Sequence, residues 1–422
     1  MISIITPVHS VSSAYVEDAF RSLHAQSMQD WEWVIGLNNG GTVPRYIEDD
    51  PRVHILNLDD DDPVHNRIGR LKRQCALQAR GEIIVELDAD DMLTEDALQE
   101  IEEAFENPDI HMAYSNSAEF EDGTWTPRVY SGHWGWVARK FEWHGHALVE
   151  MIAWPPSVQM MRRIEWAPNH VRAWRATSYF DIGGHDESMK NGDDHDLCCR
   201  LYVKYGAAGF RHIDKCLYLY RVHPKNSSRT NNAEVQATTD RNYLKYSRDM
   251  MIRWAKDNKL RMLDLGGRFN AWTGFETVDR FDADVTCDLN KRWPFADGSV
   301  GVIRASHIFE HLKDPIHVMN EAYRILAPGG WLLIEVPSTD GRGAFQDPTH
   351  RSFWNSNSIW YYTRESHARF IRPGYGGRFQ VSRIVDYFPT DFEQQNNIVI
   401  TQADLIALKA PYSDRPAGEV LI

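Results

Sequence analysis

Residues 82–91 read EIIVELDADD, an apolar run that ends in three aspartates. Such a run is typical of a strand buried on both faces of a parallel sheet. The chain before it alternates short apolar runs with segments of helical spacing, namely ISIITPV (2–8), VEDAFRSLHAQ (16–26), WEWVIGL (31–37), VHIL (53–56) and RIGRLKRQCALQARG (67–81). This repeated order predicts an α/β fold with its loops at the ends of parallel strands.

The chain is long enough, at 422 residues, for two or three domains. The polar stretch 230–259 has helical spacing, and after it the strand and helix pattern starts again, with RMLDLGG (261–267), FETVDR (275–280), GVIRASH (301–307), DPIHVMNEAYRILAPGG (314–330) and WLLIEVPS (331–338). We therefore predict a first domain over residues 1–232, a helical linker over 233–258 and a second α/β domain over 259–422.

The composition, 42% hydrophobic and 25% charged, is that of an ordinary soluble protein. A net charge of -14 disfavours binding to a nucleic-acid backbone. No apolar run reaches the length of a membrane-spanning helix, and no leader precedes the first strand, so we expect a cytoplasmic protein. The five cysteines lack Cys-x-x-Cys spacing, which favours reduced thiols. Nothing in the sequence indicates the oligomeric state.

Tryptophans accumulate between Glu119 and Trp174, where seven of the 15 in the chain lie, at positions 125, 134, 136, 143, 154, 166 and 174. Flat indole rings suit both the apolar faces of sugars and ordinary packing. Packing is the default role for any one of these tryptophans. We expect one or two of them to line an acceptor groove that binds sugar rings.

Asp88, Asp90 and Asp91 follow the strand 82–87 directly. Carboxylates gathered at the end of a buried strand repel one another, and a divalent cation relieves that repulsion. Mg²⁺ or Mn²⁺ held by one or two of them keeps positions open for phosphate oxygens. The alternative is that these acids favour the start of a helix at Thr94.

Four motifs occur in order over residues 1–230: SIITPVHS (3–10), IGRLKRQCALQARGEIIVELDADD (68–91), YFDIGGHDESMKNGDDHDLCCRL (179–201) and LYLYRVHPKNSSR (217–229). Together they resemble glycosyltransferase family 2, whose GT-A fold binds a nucleotide-diphosphate sugar. The resemblance implies that Asp90 and His223 bind the metal, that Asp88 touches the ribose or the metal, and that Asp194 is the general base. Asp193 is the second candidate for the base.

The same resemblance places the nucleotide near Lys72 and the nucleotide base against Thr6, Pro7, Val8 and His9. After the second strand the family usually presents an aspartate to the base, whereas this chain has Asn38 and Asn39. An amide both donates and accepts hydrogen bonds, so the usual preference for uridine stays open.

A carboxylate base on one side of the sugar and a metal on the other would permit direct displacement at the anomeric carbon, which inverts its configuration. Two alternatives remain at this point. For Asp193 to Asp196 the alternative to a catalytic role is capping of the helix that follows. For His223 the alternative to a metal ligand is a surface loop residue.

In the second domain a glycine turn, Asp264, Gly266 and Gly267, ends one strand, and Asp279 ends the next. This arrangement suits a cofactor that contains a ribose, although a plain turn is the alternative. Residues 261–362 resemble the class I S-adenosylmethionine-dependent methyltransferases, a Rossmann-like fold. The resemblance implies a set of S-adenosylmethionine-binding residues: Asp264, Gly266 and Gly267 at the amino-acid part, Asp279 at the ribose, Asp288 and Leu289 at the adenine, and 306–311 along the methyl-transfer cleft.

Two features depart from that pattern. Arg268 replaces the second glycine of the usual Gly-x-Gly, and only 15 positions separate Asp264 from Asp279, so a loop is expected in place of the first helix. For methylation of a hydroxyl, His311 and His350 are the candidate bases, with a packed or solvated histidine as the alternative for each.

These features predict a bifunctional enzyme that transfers a sugar to a glycan or another hydroxyl acceptor and O-methylates a hydroxyl. The alternative is an active glycosyltransferase whose C-terminal domain is a non-catalytic binding or scaffold module. A nicotinamide oxidoreductase or epimerase is disfavoured, because residues 259–422 contain neither Gly-x-Gly-x-x-Gly nor Tyr-x-x-x-Lys.

Overall fold

The computed structural model describes residues 1–59, 67–130, 132, 136–161 and 170–411. Contacts between Cα atoms divide the chain into two compact units, Met1–Met250 and Met251–Ile422. The division falls within one long helix, Asn232–Asp257, at the place where the sequence predicts a helical linker. The boundaries of the predicted domains stay a prediction.

A single mixed sheet forms the centre of the N-terminal unit. Along its main path the strands lie in the order β3-β2-β1-β4-β10-β6-β11-β5, with β7 and β9 added beside β6 and β8 beside β9. The first four are parallel, and β10 runs antiparallel to its neighbours β4 and β6. The strands are β1 (Ile2–Val8), β2 (Trp31–Leu37), β3 (Val53–Asn57), β4 (Ile83–Glu86), β5 (Met92–Leu93), β6 (Met112–Glu121), β7 (Pro127–Arg128), β8 (Ala138–Trp143), β9 (His146–Met151), β10 (Arg172–Arg175) and β11 (Phe210–Val222).

Helices cover this sheet because their apolar faces match its apolar strands. Ile4, Trp33 and Val85 of the sheet lie in one buried cluster with Phe20 of α1 and Leu98 of α4. The helices of this part of the chain are α1 (Val16–His24), α2 (Arg45–Glu48), α3 (Ile68–Gln78), α4 (Ala97–Ala104), α5 (Val158–Met161), α6 (Ala176–Asp181), α7 (Asp193–Tyr205), α8 (Ser227–Thr230) and α9 (Asn232–Asp257).

The described part of the tryptophan-rich segment includes the strands β7, β8 and β9. Strands β8 and β9 pair antiparallel, and β9 pairs with β6. Trp154 and Trp174 are buried, and Trp125 stacks between Phe120, with a ring distance of 4.3 Å, and His146, at 4.1 Å. Packing therefore accounts for these three, while positions 134 and 166 lie outside the described residues.

The C-terminal unit has a sheet of seven strands in the order β14-β13-β12-β15-β16-β18-β17. The first five are parallel, and β18 runs antiparallel to both β16 and β17. Its strands are β12 (Arg261–Leu265), β13 (Glu276–Asp279), β14 (Val285–Thr286), β15 (Val300–Ser306), β16 (Leu326–Pro337), β17 (Phe379–Tyr387) and β18 (Ile400–Ala407). Its helices are α10 (Pro315–Ile325), α11 (Gly343–Gln346), α12 (Ser356–Thr363), α13 (Glu365–Ala368) and α14 (Asp391–Gln395).

The strand order reverses between β12 and β15, so the carboxyl ends of these two strands border a crevice of the kind where open α/β sheets bind ligands. As expected, a loop replaces a helix between Leu265 and Glu276. Strand β16 begins at Leu326, directly after α10, and the start of the strand is irregular because its register against β15 shifts there.

None of the described helices combines the length and the apolar character that crossing a membrane requires.

Candidate functional site

A cleft of about 650 Å³ opens in the N-terminal unit and brings the four sequence motifs together. We call it the N-terminal cleft. Predicted site residues from every motif line it: Pro7, His9, Asn38, Asn39, Lys72, Asp88, Asp90, Asp193, Asp194 and His223. They converge because strands β1 and β4 are adjacent and parallel, so the loops after them leave the same edge of the sheet.

The predicted metal ligands Asp90 and His223 meet in this cleft. His223 Nε2 lies 2.8 Å from Asp90 Oδ2, although the two residues come from distant parts of the chain. The imidazole is 4% exposed and stacks on Tyr15, with a ring distance of 5.0 Å. A carboxylate and an imidazole held side by side suit a divalent ion such as Mn²⁺. The surface-loop alternative for His223 is wrong, because the residue is buried.

Asp88 also faces the cleft, and its charge is unfavourable without a cation. Burial, with the nearby charges of Asp90 and Glu86, raises the pKa of Asp88 to about 6, despite the opposing effect of Lys72 and Arg172. A divalent cation would stabilise the ionised carboxylate. The residues present therefore fit Mg²⁺ or Mn²⁺, with Asp88, Asp90 and His223 as the groups that would hold it.

Asp91 points elsewhere. Its Oδ2 accepts a hydrogen bond from the Tyr218 hydroxyl at 2.8 Å, and its Oδ1 accepts one from the backbone N–H of Arg221 at 2.7 Å. Burial raises its pKa well above the ordinary value. Asp91 thus fixes the loop after β4 to strand β11. The helix-start alternative is wrong for these acids, since α4 begins only at Ala97.

The two candidate bases lie at the first turn of α7 and differ in their surroundings. Asp194 Oδ2 is 2.9 Å from Arg172 Nη1, and the Asp194 side chain is 17% exposed. Asp193, with a side chain 4% exposed, lies 3.4 Å from both Lys72 Nζ and His185 Nε2. Neither caps the helix, because the N-cap is Gly192 and no side chain bonds there. The more open Asp194 is the better placed to meet an acceptor.

Asp194 is held in its ionised form. Burial by itself would raise its pKa, but Arg172 and Lys72 bring the pKa below the ordinary value. At neutral pH the side chain is therefore a carboxylate, which is the form that a general base requires.

Lys72 lines the cleft and is also paired with carboxylates of the protein. Its ammonium group donates to Glu86 Oε2 at 2.8 Å and lies 3.4 Å from Asp193 Oδ2. The side chain is 6% exposed, so Lys72 stabilises these two carboxylates inside the protein. Asp193 and Glu86 raise its pKa against the effect of burial. Contact with the nucleotide stays a prediction, and the ionic partners of Lys72 are already protein carboxylates.

Strand alternation explains which residues of the opening strand reach the cleft. Pro7 and His9 line it, whereas Val8 is in the hydrophobic core. The Thr6 hydroxyl donates to the Leu87 carbonyl oxygen at 2.7 Å and accepts from Trp33 Nε1 at 2.8 Å. Side-chain contacts of Thr6 and Val8 with a nucleotide base are therefore not supported, because successive residues of a strand face opposite sides.

Asn38 gives the cleft a specific polar group. The side chain is 3% exposed, and its Oδ1 has no hydrogen-bond partner among the described residues. Asn39 follows in a left-handed conformation with φ 47°, which turns the chain away from β2. A buried acceptor without a partner favours a ligand that donates to it, as a nucleotide base does.

Around Glu86 lies a group of buried residues, of which the sequence reasoning assigned only Lys72 to the site. Glu86 accepts from Lys72, from Trp174 Nε1 at 2.7 Å and from Arg172 Nε at 3.3 Å, and His185 Nε2 lies 3.2 Å away. Burial would raise the pKa of Glu86, but Lys72, His185 and Arg172 hold it well below the ordinary value. We call these five residues the Glu86 network. The available signal was a charged residue inside the apolar run 82–87.

In the C-terminal unit the glycine turn has the predicted position after β12. Gly266 has φ +71°, and a Cβ there would lie 2.9 Å from the Ile308 side chain, so both the turn and the close approach need glycine. This tight turn at the crevice between β12 and β15 fits S-adenosylmethionine. The side chain of Arg268, at the position of the usual second glycine, pairs with Asp282.

Two of the residues expected at the cofactor have other partners. The Asp264 carboxylate accepts from Arg304 Nη1 at 2.8 and 3.0 Å and from the Trp272 backbone N–H at 2.9 Å. Leu289, 3% exposed, packs in the hydrophobic core. The Asp264 carboxylate is thus already hydrogen-bonded within the protein and the Leu289 side chain lies in the core, while their contact with the cofactor stays a prediction.

The remaining predicted residues lie where a ligand could reach them. Asp279 ends β13, and Asp288, whose pKa is lowered by hydrogen bonds from Asn290, follows β14; both are partly exposed. His311 and His350 come together with ring centres 5.0 Å apart. Their roles stay predictions.

Comparison with known proteins bears on each half of the chain. Residues 3–166 match the family model described as glycosyl transferase family 2, and residues 241–374 match a model described as a methyltransferase domain. The chain thus combines two α/β transferase domains. The first is a glycosyltransferase family 2 domain and the second is a methyltransferase domain.

Proteins similar in sequence to this chain include the following two. The O-antigen biosynthesis protein RfbC of Myxococcus xanthus is 25% identical over 226 residues, which are 52% of this chain and 16% of the relative. The protein y4gI of Sinorhizobium fredii is 22% identical over 245 residues, 56% of this chain and 24% of the relative. This chain therefore corresponds to a quarter or less of either relative.

Among solved structures, residues 1–349 of S. aureus TarS show 13% identity with a TM-score of 0.41, over 60% of this chain and 72% of that one.

Proposed function

We propose that the protein is a bifunctional enzyme. Its N-terminal domain transfers a sugar from a nucleotide-diphosphate sugar to an acceptor hydroxyl, with a divalent metal and with inversion at the anomeric carbon. Its C-terminal domain O-methylates a hydroxyl with S-adenosylmethionine, and we propose a glycan as the methyl acceptor.

One observation carries the first activity. The Asp90 and His223 pair and the Asp194 and Arg172 pair line the same cleft. The first suits a metal, which when bound would neutralise charge on the departing diphosphate. The second supplies an ionised carboxylate. A direct displacement of the diphosphate by the acceptor hydroxyl needs both groups and forms no covalent intermediate. Because a single displacement inverts the anomeric carbon, the presence of both groups supports inversion.

Each residue then has a defined task. Asp194 accepts the proton of the acceptor hydroxyl at a carboxylate oxygen, while Arg172 keeps that carboxylate ionised and oriented. Asn38 Oδ1 accepts a hydrogen bond from the nucleotide base. Lys72 stabilises the negative charge of Asp193 and Glu86 beneath the reacting groups.

The methyltransferase activity is supported by the domain match and by the glycine turn at the crevice. S-adenosylmethionine supplies an activated methyl group, so the protein needs to bind the cofactor, through Asp279, to orient a hydroxyl and to accept its proton, for which His311 and His350 are the candidates. The name of the Myxococcus relative, an O-antigen biosynthesis protein, supports a glycan as the product of the two activities.

The test is a screen of nucleotide-diphosphate sugars for metal-dependent release of nucleoside diphosphate, followed by NMR of the sugar product. We expect activity with at least one donor, loss of activity on chelation, and inverted anomeric configuration. Asp90→Ala should abolish the release. Activity that survives both the chelator and Asp90→Ala would show that the metal assignment is wrong.

A second candidate function for the C-terminal domain is that of a non-catalytic binding or scaffold module. It is favoured by the Asp264 carboxylate, whose hydrogen bonds are already made within the protein. Calorimetry with S-adenosylmethionine separates the two. Binding at micromolar cofactor supports methyl transfer, and no heat at several hundred micromolar supports the scaffold.

A further inference from the structure

Three side chains of the C-terminal unit form a cluster with the chemistry of a metal site. Glu310 and His311 lie in the 3-10 helix Phe309–His311 that follows β15, and His350 lies between α11 and α12. One potential ligand atom from each residue lies within 4.8 Å of the other two. Glu310 is buried, the His350 side chain is 6% exposed and His311 is partly exposed, so solvent reaches the cluster at His311.

One oxygen of the Glu310 carboxylate lacks a hydrogen-bond partner among the described residues. The residue is 2% exposed, and its Oε2 has no hydrogen-bond partner among the residues that the structure describes. Its Oε1 lies 3.5 Å from His307 Nδ1. A buried oxygen left unpaired costs roughly 1–3 kcal/mol, and more when it is charged. A cation bound at Oε2 would remove that cost.

Both imidazoles are oriented through Nδ1. His350 Nδ1 donates to the Ala344 carbonyl oxygen at 2.8 Å. His311 Nδ1 lies 3.0 Å from Thr349 Oγ1, which itself donates to Asp347 Oδ1 at 2.7 Å. Because a hydroxyl has one proton, His311 is the donor to Thr349. Each ring is therefore the tautomer whose Nε2 lone pair can bind a metal, as in second-shell arrangements around metal-binding histidines.

Backbone hydrogen bonds hold the two parts of the cluster together. The N–H groups of Arg351 and Ser352 donate to the Glu310 carbonyl oxygen at 2.7 and 3.0 Å. The Ser352 hydroxyl donates to the Phe309 carbonyl oxygen at 2.9 Å. The loop that carries His350 is thus attached to the turn that carries Glu310 and His311, so the cluster does not depend on side-chain contacts alone.

We propose that Glu310, His311 and His350 bind a divalent transition-metal ion such as Zn²⁺, with a fourth position open to water or a substrate hydroxyl. Two histidines and a glutamate with one open position are a known ligand set for Zn²⁺. Ligand distances of about 2.1 Å put tetrahedral ligand atoms about 3.4 Å apart. The observed limit of 4.8 Å therefore requires small side-chain rotations on binding.

The site has a consequence for the methyltransferase. A hydroxyl bound at the open position would lose its proton to solvent more easily, because the metal stabilises the oxyanion. His311 and His350 would then be ligands rather than proton acceptors. This use of the metal rests on the proposed methyl transfer, whereas metal binding itself does not.

The experiment titrates Co²⁺, followed by its visible absorption, into the full-length chain with Asp90→Ala and His223→Ala. Those two changes remove the predicted metal ligands of the N-terminal cleft. We expect one equivalent of Co²⁺, displaced by Zn²⁺. Adding His350→Ala, or in a separate variant Glu310→Gln, should weaken Co²⁺ binding at least 10-fold. The matched control is His317→Ala, a partly exposed histidine of α10 outside the cluster.

Thermal melting separates loss of a ligand from loss of the fold. Zn²⁺ should raise the melting temperature of the background chain and of His317→Ala, but not that of His350→Ala, while the melting temperatures without metal stay close. The proposal is overturned if the background chain binds no Co²⁺ at millimolar concentration, or if His350→Ala and Glu310→Gln both bind it like the control. No methyl donor or acceptor is used, so failure here leaves the proposed methyl transfer to its own test.

Discussion

Replacement of Arg172 by methionine should destabilise the N-terminal unit more than any surface charge change of the same kind. Arg172 is 4% exposed and lies between two carboxylates, Asp194 at 2.9 Å and Glu86 at 3.3 Å. Methionine keeps most of the side-chain volume and removes the charge. Asp194 would then be a largely buried carboxylate without its strongest partner.

The structure sets the size of the effect. Breaking a buried ion pair by removing one partner costs roughly 3–5 kcal/mol. Lys72 and His185 still surround Glu86, so the loss falls mainly on Asp194 and we expect about 3 kcal/mol, at the lower end of that range. For a unit of this size each kcal/mol lowers the melting temperature by about 2–4 °C, which predicts a decrease of roughly 6–12 °C.

The effect should depend on pH in a defined direction. The pKa of Asp194 is lowered in the folded chain, so its contribution to stability is present above the unfolded pKa and is lost as pH falls through the folded pKa. Without Arg172, burial raises the pKa of Asp194, and protonation at mildly acidic pH removes the unpaired charge. The difference between Arg172→Met and the parent should therefore be larger at pH 7 than at pH 5.

Differential scanning calorimetry of the full chain measures these shifts at both pH values, because two compact units can melt separately. The control is Arg21→Met, the same change at an exposed pair with Glu17. A pair of that kind contributes only about 0.3–0.5 kcal/mol. Arg172→Lys, which keeps a charge, should lie between the two. Equal shifts for Arg172→Met and Arg21→Met, or a shift independent of pH, would refute the reasoning.

Three further changes probe the two sites. Asp194→Asn should lower the rate of nucleoside diphosphate release roughly 100-fold or more while leaving donor affinity close to the parent's, since only the general base is lost; steady-state kinetics separates the two. Asn38→Asp replaces a group that donates and accepts by one that only accepts, and should change the relative affinity for different nucleoside diphosphates by roughly 2- to 10-fold in competition assays. Asp279→Ala should weaken S-adenosylmethionine binding about 10-fold or more in calorimetry, through lost hydrogen bonds to the ribose.

Asp194→Asn has a control variant, and each of the other two changes has an outcome that would contradict the prediction. Asp193→Asn should affect stability more than rate, because that side chain faces Lys72 and His185; a rate loss confined to Asp193→Asn would make it the base. An unchanged nucleotide preference in Asn38→Asp would remove Asn38 from base recognition. Full cofactor affinity in Asp279→Ala would show that the ribose is bound elsewhere.

Local sequence patterns predicted much of the fold. The apolar runs at 2–8, 31–37, 53–56 and 82–86 are the parallel strands β1 to β4, and the polar stretch around α9 is one helix. Alternation and helical spacing are properties of neighbouring residues, so they can be read without knowledge of the rest of the chain. The order of the four motifs similarly indicated the family, and the family indicated that Asp90 and His223 would meet.

Other features depend on which strands become neighbours. Glu86 and Arg172 face each other because β10 inserts antiparallel beside β4, a pairing that no local pattern of either strand specifies. The sequence shows Asp88, Asp90 and Asp91 as three similar acids, but only the tertiary structure turns Asp91 towards Tyr218 and leaves the other two in the cleft.

The sequence by itself determined the succession of two α/β domains, the positions of their main strands and the types of side chain available at each strand end. Only the tertiary structure decided the protonation of Asp194, the partner of Lys72 and the convergence of Glu310 with His350. The reason is physical: periodic burial is a short-range property, whereas burial of a charge and its pairing depend on groups that folding brings from distant segments.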